Sequence, residues 1–464
     1  MAEFSVAFTR TDITPGPNTA RNRWMAGYGW DPRGNPNFTT ARPLRAECVM
    51  IRQTTGDPLV AVRVDLLNLP TYLSRRIRAR VVNELRLTGN ASFMLQSSHT
   101  HSGPALPEEP DPYIIYGLSG SQLDEVNEYA EWLIRRLVAL VRETVAKSPT
   151  AVTLSYGEGV AKAAVNRVGL GWQTDEVPVL LARREGTQAP VLALFGYSCH
   201  PVARGSEPVF DSDFPGVAGK LLETELGCPA FFFNGAAGDR NPDRMGSDAD
   251  VVNVGTRVGE GALKVVRDGA LSPLRGPIKA ILRAARLPLA EDLTNPDTLV
   301  RLDAAYEQER IRAAQEGDAA GVRFCEAMRR ELADGSTPVV YNVPVQCWKF
   351  GSDFGILGLG GEALSGYNVG TRAATPRKLW VMAYANEIPG YVPADDVLWH
   401  WPGPACHYES GWDENPKFSG RGTSMMAFGW PVPLASSQPV GTSPATPQSA
   451  EGVLMATCRK VLAD

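Results

Sequence analysis

Histidine is scarce in this sequence, with five in 464 residues, and there is no excess of positive charge: 46 Lys and Arg stand against 51 Asp and Glu, a formal net charge of −5. A chain without a basic field has little with which to gather phosphate backbones, so nucleic acid is not an expected partner. No eighteen consecutive residues are apolar, and no membrane-spanning helix is expected. The opening Met1-Ala2-Glu3-Phe4-Ser5-Val6 lacks the basic and apolar segments of a secretory signal. The seven cysteines are odd in number and scattered, with no Cys-x-x-Cys pair, which argues against a disulfide framework and a thiolate zinc site. These absences lead to the expectation of a reduced, cytoplasmic protein without a membrane span.

What is present is the make-up of a globular chain: 44% hydrophobic and 21% charged residues. Gly (45) and Pro (36) exceed their usual share, which predicts many ordered loops. Several nearly continuous apolar runs of strand length end in polar clusters. Leu59–Val64 leads to Asp65, Phe93–Gln96 to Ser97-Ser98-His99, Val191–Tyr197 to His200, and Ala230–Phe233 to Asn234. Helical patterns alternate with them: one after a capping-box-like Ser121-Gln122-Leu123-Asp124, one from Asp213, and one over roughly 251–266. The alternation predicts an α/β fold, a layered mixed sheet flanked by helices, with ligands at the carboxyl ends of strands. Residues 290–335, nearly twice as dense in charge as the whole, read as an exposed helical insertion.

All five histidines fall in three short stretches: His99 and His101, His200, then His400 and His407. If the chain is extended at His99-Thr100-His101, both imidazoles face one side. His200, ending another run, would bring a third to the same sheet edge, and a catalytic zinc takes three or more protein ligands and leaves room for water. Glu362 follows a further apolar run and could deliver a carboxylate. Asp65, Asp213 and Asp239 could orient imidazoles or simply cap loops and helices. Gly235–Asp239 could offer N–H groups to an oxyanion or form a tight turn. Trp399, Trp401, Trp412 and Trp430 could line a pocket for a ring-shaped ligand or pack beneath loops.

The run Ser98-His99-Thr100-His101-Ser102-Gly103-Pro104 resembles the zinc-binding signature of the neutral ceramidases, hydrolases that cleave the N-acyl amide of ceramide. Other blocks agree in chain order: Asp12–Pro15 with Gly27-Tyr28-Gly29; Asn166-Arg167; His200-Pro201 with Asp213–Gly216; Asn234–Pro242; Gly361-Glu362; and Asn386–Val392 with Tyr408-Glu409. The resemblance implies a ceramidase-like catalytic-domain fold over residues 1–435, containing the charged 290–335 insertion, while composition marks 436–464 as a Pro/Ser/Thr-rich linker and short helix. It implies one zinc per chain, held by His99, His200, Glu362 and Tyr391, with His101, Arg167 and Tyr408 around the scissile amide. Asn234, Asn241 and the three aspartates are the remaining candidates for supporting or oxyanion contacts.

Two departures shape the expected chemistry. Asn241 stands where the ceramidases carry a catalytic serine, and an amide cannot act as a nucleophile, so attack is expected from metal-bound water. The chain also ends soon after the last block, without the family's C-terminal β-sandwich, which turns the expectation from a membrane-derived lipid to a small soluble substrate. The reading is thus a zinc-dependent hydrolase of an N-acyl amide. The alternatives are cleavage of an ester or glycoside at the same metal, or a catalytically silent metal-bearing binding protein.

Overall fold

A computed structural model describes residues 3–28, 32–107, 118–169, 172–336, 339–388, 390–399, 409 and 449–464. Eight main strands form the larger sheet: β1 (Phe4–Asp12), β2 (Arg45–Gln53), β3 (Leu59–Val64), β4 (Phe93–Ser97), β5 (Thr150–Val160), β6 (Glu176–Arg184), β7 (Pro190–Tyr197) and β8 (Ala230–Asn234). Their order is β8-β7-β6-β5-β1-β2-β3-β4, with a short Ser272–Pro273 strand pairing beside β5. The sheet is antiparallel at its centre and parallel at both ends, where β3 pairs with β4 and β7 with β8. The four apolar runs seen in the sequence are these four strands. β3, β4 and β8 are buried throughout and β7 over all but its first two residues, because both faces of the sheet are covered.

Helices cover the outer face. Helix α1 (Thr71–Arg78) and helix α2 (Ser121–Ala146) pack over β1–β4 through Leu73, Tyr129, Leu133 and Leu137. Helices α3 (Asp213–Leu226) and α4 (Asp248–Arg267) cover β6–β8 through Phe214, Leu222, Val254 and Val258. The expected capping box at Ser121–Asp124 does not form. Gly120 occupies the N-cap position at φ 54°, so Ser121 is already helical, and Gln122 Oε1 accepts from the Ser119 N–H (3.0 Å).

A second sheet, β9 (Ile278–Pro288), β10 (Val340–Phe350), β11 (Phe354–Leu359) and β12 (Lys378–Met382), packs on the inner face of the first. Trp348, Phe350, Phe354 and Trp380 interleave there with Phe4, Tyr156 and Phe231. Truncating one such ring to Ala typically costs about 3–5 kcal/mol. Between β9 and β10 the charged segment forms a hairpin of α5 (Pro296–Glu316) and α6 (Ala319–Asp334) with its own small core. On the far face of the second sheet, α7 (Ser365–Ala373) and the terminal α9 (Ala450–Ala463) share one apolar cluster with β9–β12, and α8 (Asp395–Trp399) precedes the undescribed stretch.

The larger sheet curls until its edge strands β4 and β8 come into contact. The segment after β12 seals the seam. Ala383 N–H bonds Asn234 of β8 (3.1 Å), while Tyr384 and Asn386 exchange backbone bonds with Ser97 and Leu95 of β4. The carboxyl ends of both parallel pairs therefore open at one place, although they belong to opposite edges of the sheet.

Candidate metal centre

Three imidazoles meet at that seam. His99 follows β4, His200 follows β7, and both are buried; His101 is half-buried. The His99–His101 pair is not extended as the alternation rule anticipated. His99 lies at φ 69°, a left-handed conformation that costs energy in a residue with a Cβ, and the chain turns there. The turn still brings the two Nε2 atoms to 3.3 Å. One nitrogen from each of His99, His101 and His200 lies within 4.8 Å of the others.

Backbone carbonyls orient all three rings. His99 Nδ1 donates to Leu67 O (2.7 Å), His101 Nδ1 to Gly27 O (2.7 Å), and His200 Nδ1 to Ala237 O (2.8 Å) and Arg240 O (3.2 Å). A carbonyl only accepts, so each Nδ1 carries a proton, and in a neutral ring that leaves the inward-facing Nε2 as a lone pair. Gly27 makes the His101 contact possible: its φ is 107°, and a Cβ there would lie 2.6 Å from the His101 Cβ.

Glu362 enters from a two-residue strand paired in parallel with Tyr391-Val392. Its Oε2 is 3.2 Å from His99 Nε2 and 3.4 Å from His200 Nε2, is buried, and has no hydrogen-bond partner among the described residues. Tyr391 Oη lies 3.4 Å from His200 Nε2. Burial, then the Arg167 charge, push the His200 imidazole down to about 4. Burial and the neighbouring His99 and His200 hold His101 well below the usual range. Burial opposes ionisation of Glu362, but His99 and His200 prevail and hold its carboxyl below the ordinary range. Neutral imidazoles and an ionised carboxylate are the forms that bind metals. With the rings neutral, their lone pairs and the carboxylate face one another, and a cation between them would join them. The donor set fits a divalent cation with nitrogen and oxygen preferences, such as zinc.

Arg167 stands beside this group. It donates to Tyr391 Oη (3.1 Å), Gly238 O (2.8 Å), Asn241 Oδ1 (3.0 Å) and Glu409. Asn234 braces the two histidine loops from within: its Nδ2 donates to Ser98 O (3.0 Å), and its Oδ1 accepts from Cys199 N–H (3.5 Å).

The aspartates do not orient the imidazoles. Asp65 pairs with Arg63 and accepts from Arg45 N–H; Asp213 accepts from the N–H groups of Ala203, Arg204 and Phe214; Asp239 accepts from Ser365 and Asn166. The reason is geometric, since carbonyls of passing loops already fill the Nδ1 positions. The Gly235–Asp239 turn likewise presents acceptors to the site. Gly235 and Gly238 N–H groups bond Tyr197 O and Ala363 O, and the carbonyls of Ala237 and Gly238 face His200 and Arg167. Sequence reasoning missed Tyr384, which stacks on His99 at 4.2 Å; a tyrosine just past an apolar strand carries no local signal. His400, His407, Tyr408 and Trp401, Trp412 and Trp430 lie outside the described residues, as does linker 436–448. No described helix is long and apolar enough to cross a membrane.

No family model matches the chain, and no curated protein sequence does. Solved structures do match. Neutral ceramidase from Pseudomonas aeruginosa is similar with a TM-score of 0.66 at 16% identity, over 100% of this chain and 74% of that one. A ceramidase complexed with C2 gives 0.67 at 16% identity, over 100% and 75%. The likeness at this identity is one of architecture, and the chain has the neutral-ceramidase fold over its full length.

Proposed function

We propose that this protein is a zinc-dependent hydrolase that cleaves the N-acyl amide bond of a small soluble substrate. The observation that carries the reading is the convergence of three imidazoles, with His99 and His200 Nε2 facing Glu362 Oε2, a buried oxygen with no hydrogen-bond partner among the described residues. His99, His200, Glu362 and Tyr391 would hold the ion, which when bound polarises a carbonyl and lowers the pKa of a coordinated water towards ~7.

The half-buried His101, kept neutral and anchored through Nδ1 to Gly27, can take a proton at Nε2 and pass it to the departing amine nitrogen. Arg167 acts as a positioning residue, holding the phenol oxygen of Tyr391. Asn241 accepts a hydrogen bond from Arg167 and supplies no nucleophile, which supports attack by water over an acyl-enzyme.

The test is metal analysis of the purified chain, with turnover on N-acyl amines, esters and aryl glycosides. About one zinc per chain is expected, together with amine release that a chelator abolishes and zinc restores. His101→Ala should keep the metal and lose turnover. Hydrolysis confined to glycosides or esters would overturn the amide assignment, and metal loss in His101→Ala would place that imidazole among the ligands instead.

A further inference from the structure

A cavity of about 550 Å³ lies between α3, α4 and strands β2, β3 and β8. None of the metal-centre residues lines it, and its size falls within the ~300–1,000 Å³ typical of small-molecule sites. At its floor Arg63, only 3% exposed, bonds Asp65 and Glu47 through its two terminal nitrogens, while its buried Nε has no hydrogen-bond partner.

The other charges divide into tied and untied. Arg42 is bound to Asp211 (2.7 Å) and Asp248 (2.9 Å), and Glu223 to Arg10 (2.6 Å). The side chains of Arg45 and Lys220 also line the cavity and make no hydrogen bond or ion pair among the described residues. Arg45 feels Glu47 only at longer range. Pro215, Val217, Leu221 and Phe232 supply apolar wall. Two untied cations over an apolar wall match one kind of ligand.

We propose that this cavity binds a small organic anion, an oxyanion head group joined to an apolar body, with Arg45 and Lys220 holding the head group. A planar guanidinium suits both carboxylate and phosphate oxygens. The site is independent of the reaction at the metal centre.

Calorimetric titration of the full chain with octanoate, phenyl phosphate and octan-1-ol tests it. One octanoate or phenyl phosphate per chain is expected, the tighter of the two identifying the head group, with octan-1-ol at least about tenfold weaker. Arg45→Met/Lys220→Met, at positions outside the core, should weaken the anion by about tenfold or more. Val252→Trp, which narrows the cavity from an exposed lining position without altering charge, should also weaken it. Affinity for octan-1-ol equal to that for the anions, affinities unchanged in both variants, or no binding of either anion up to about 1 mM would overturn the proposal. Binding that disappears in Glu362→Gln would assign the anion to the metal centre and overturn it equally.

Discussion

The metal centre and the α5–α6 hairpin are both crowded with ionisable groups, and they treat them in opposite ways. In the hairpin cations meet anions near the surface: Arg329 reaches Asp303 (2.8 Å) and Glu307, and Arg312 reaches Glu316 (3.2 Å) and the more buried Glu309. Such exposed pairs are screened by water and salt and contribute little. At the centre, two buried imidazoles, a half-buried one and a carboxylate face each other, and the Nδ1 ends of the rings are fixed by main-chain carbonyls. Charge density alone therefore says little about function. Burial of facing donor atoms is what distinguishes a site that could hold a cation.

Substitutions can break this contrast from the centre outward. His200→Ala removes a buried donor and should reduce zinc affinity by more than about 100-fold, since losing an outer contact alone costs ~10–100-fold; competition with a fluorescent chelator measures it, and unchanged affinity would defeat the metal assignment. Asp213 tests the buried side of the contrast through pH. Burial, then Asp211, raise its carboxyl to about 6 from an ordinary 3.8, so the fold binds that proton more tightly than the unfolded chain does. The stability it contributes is complete below pH 3.8 and lost as pH rises through about 6. Asp213→Asn, at a φ of 58° that Asn tolerates, should therefore gain on the parent by up to about 3 kcal/mol between pH 4 and pH 8. Urea melts at the two pH values that leave the difference constant would refute this.

Gly27→Ala would place a Cβ against His101 and strain φ 107°; a loss of about 1–3 kcal/mol in chemical denaturation is expected, with the His101 ring displaced. At the exposed end of the comparison, Arg329→Ala should move the melting midpoint by less than about 2 °C. A larger shift would mean the hairpin ladder carries stability after all.

Much of the fold could be read locally. Leu59–Val64, Phe93–Gln96, Val191–Tyr197 and Ala230–Phe233 are apolar without alternation because both faces of their sheet are covered, and that pattern is written into consecutive residues. The residues of the centre were also nameable, because polar clusters close those runs. Their arrangement was not. The His99 turn replaces the extended geometry assumed for His99 and His101, and carbonyls of Leu67, Gly27 and Ala237 take the place offered to Asp65, Asp213 and Asp239. Main-chain carbonyls are identical in every residue, so no side-chain pattern can announce which of them will face a ring. Ser121 failed as a cap for a similar reason, since helix entry depended on the backbone angle of Gly120.

The sequence by itself determined the layered α/β architecture and which side chains stand at strand ends, because these follow from short-range periodicity and composition. Only the tertiary structure decided that strands at opposite edges of one sheet should meet. That closure depends on the curl of the whole sheet and on the Ala383–Asn386 segment sealing its seam, so it belongs to contacts between residues far apart in the chain.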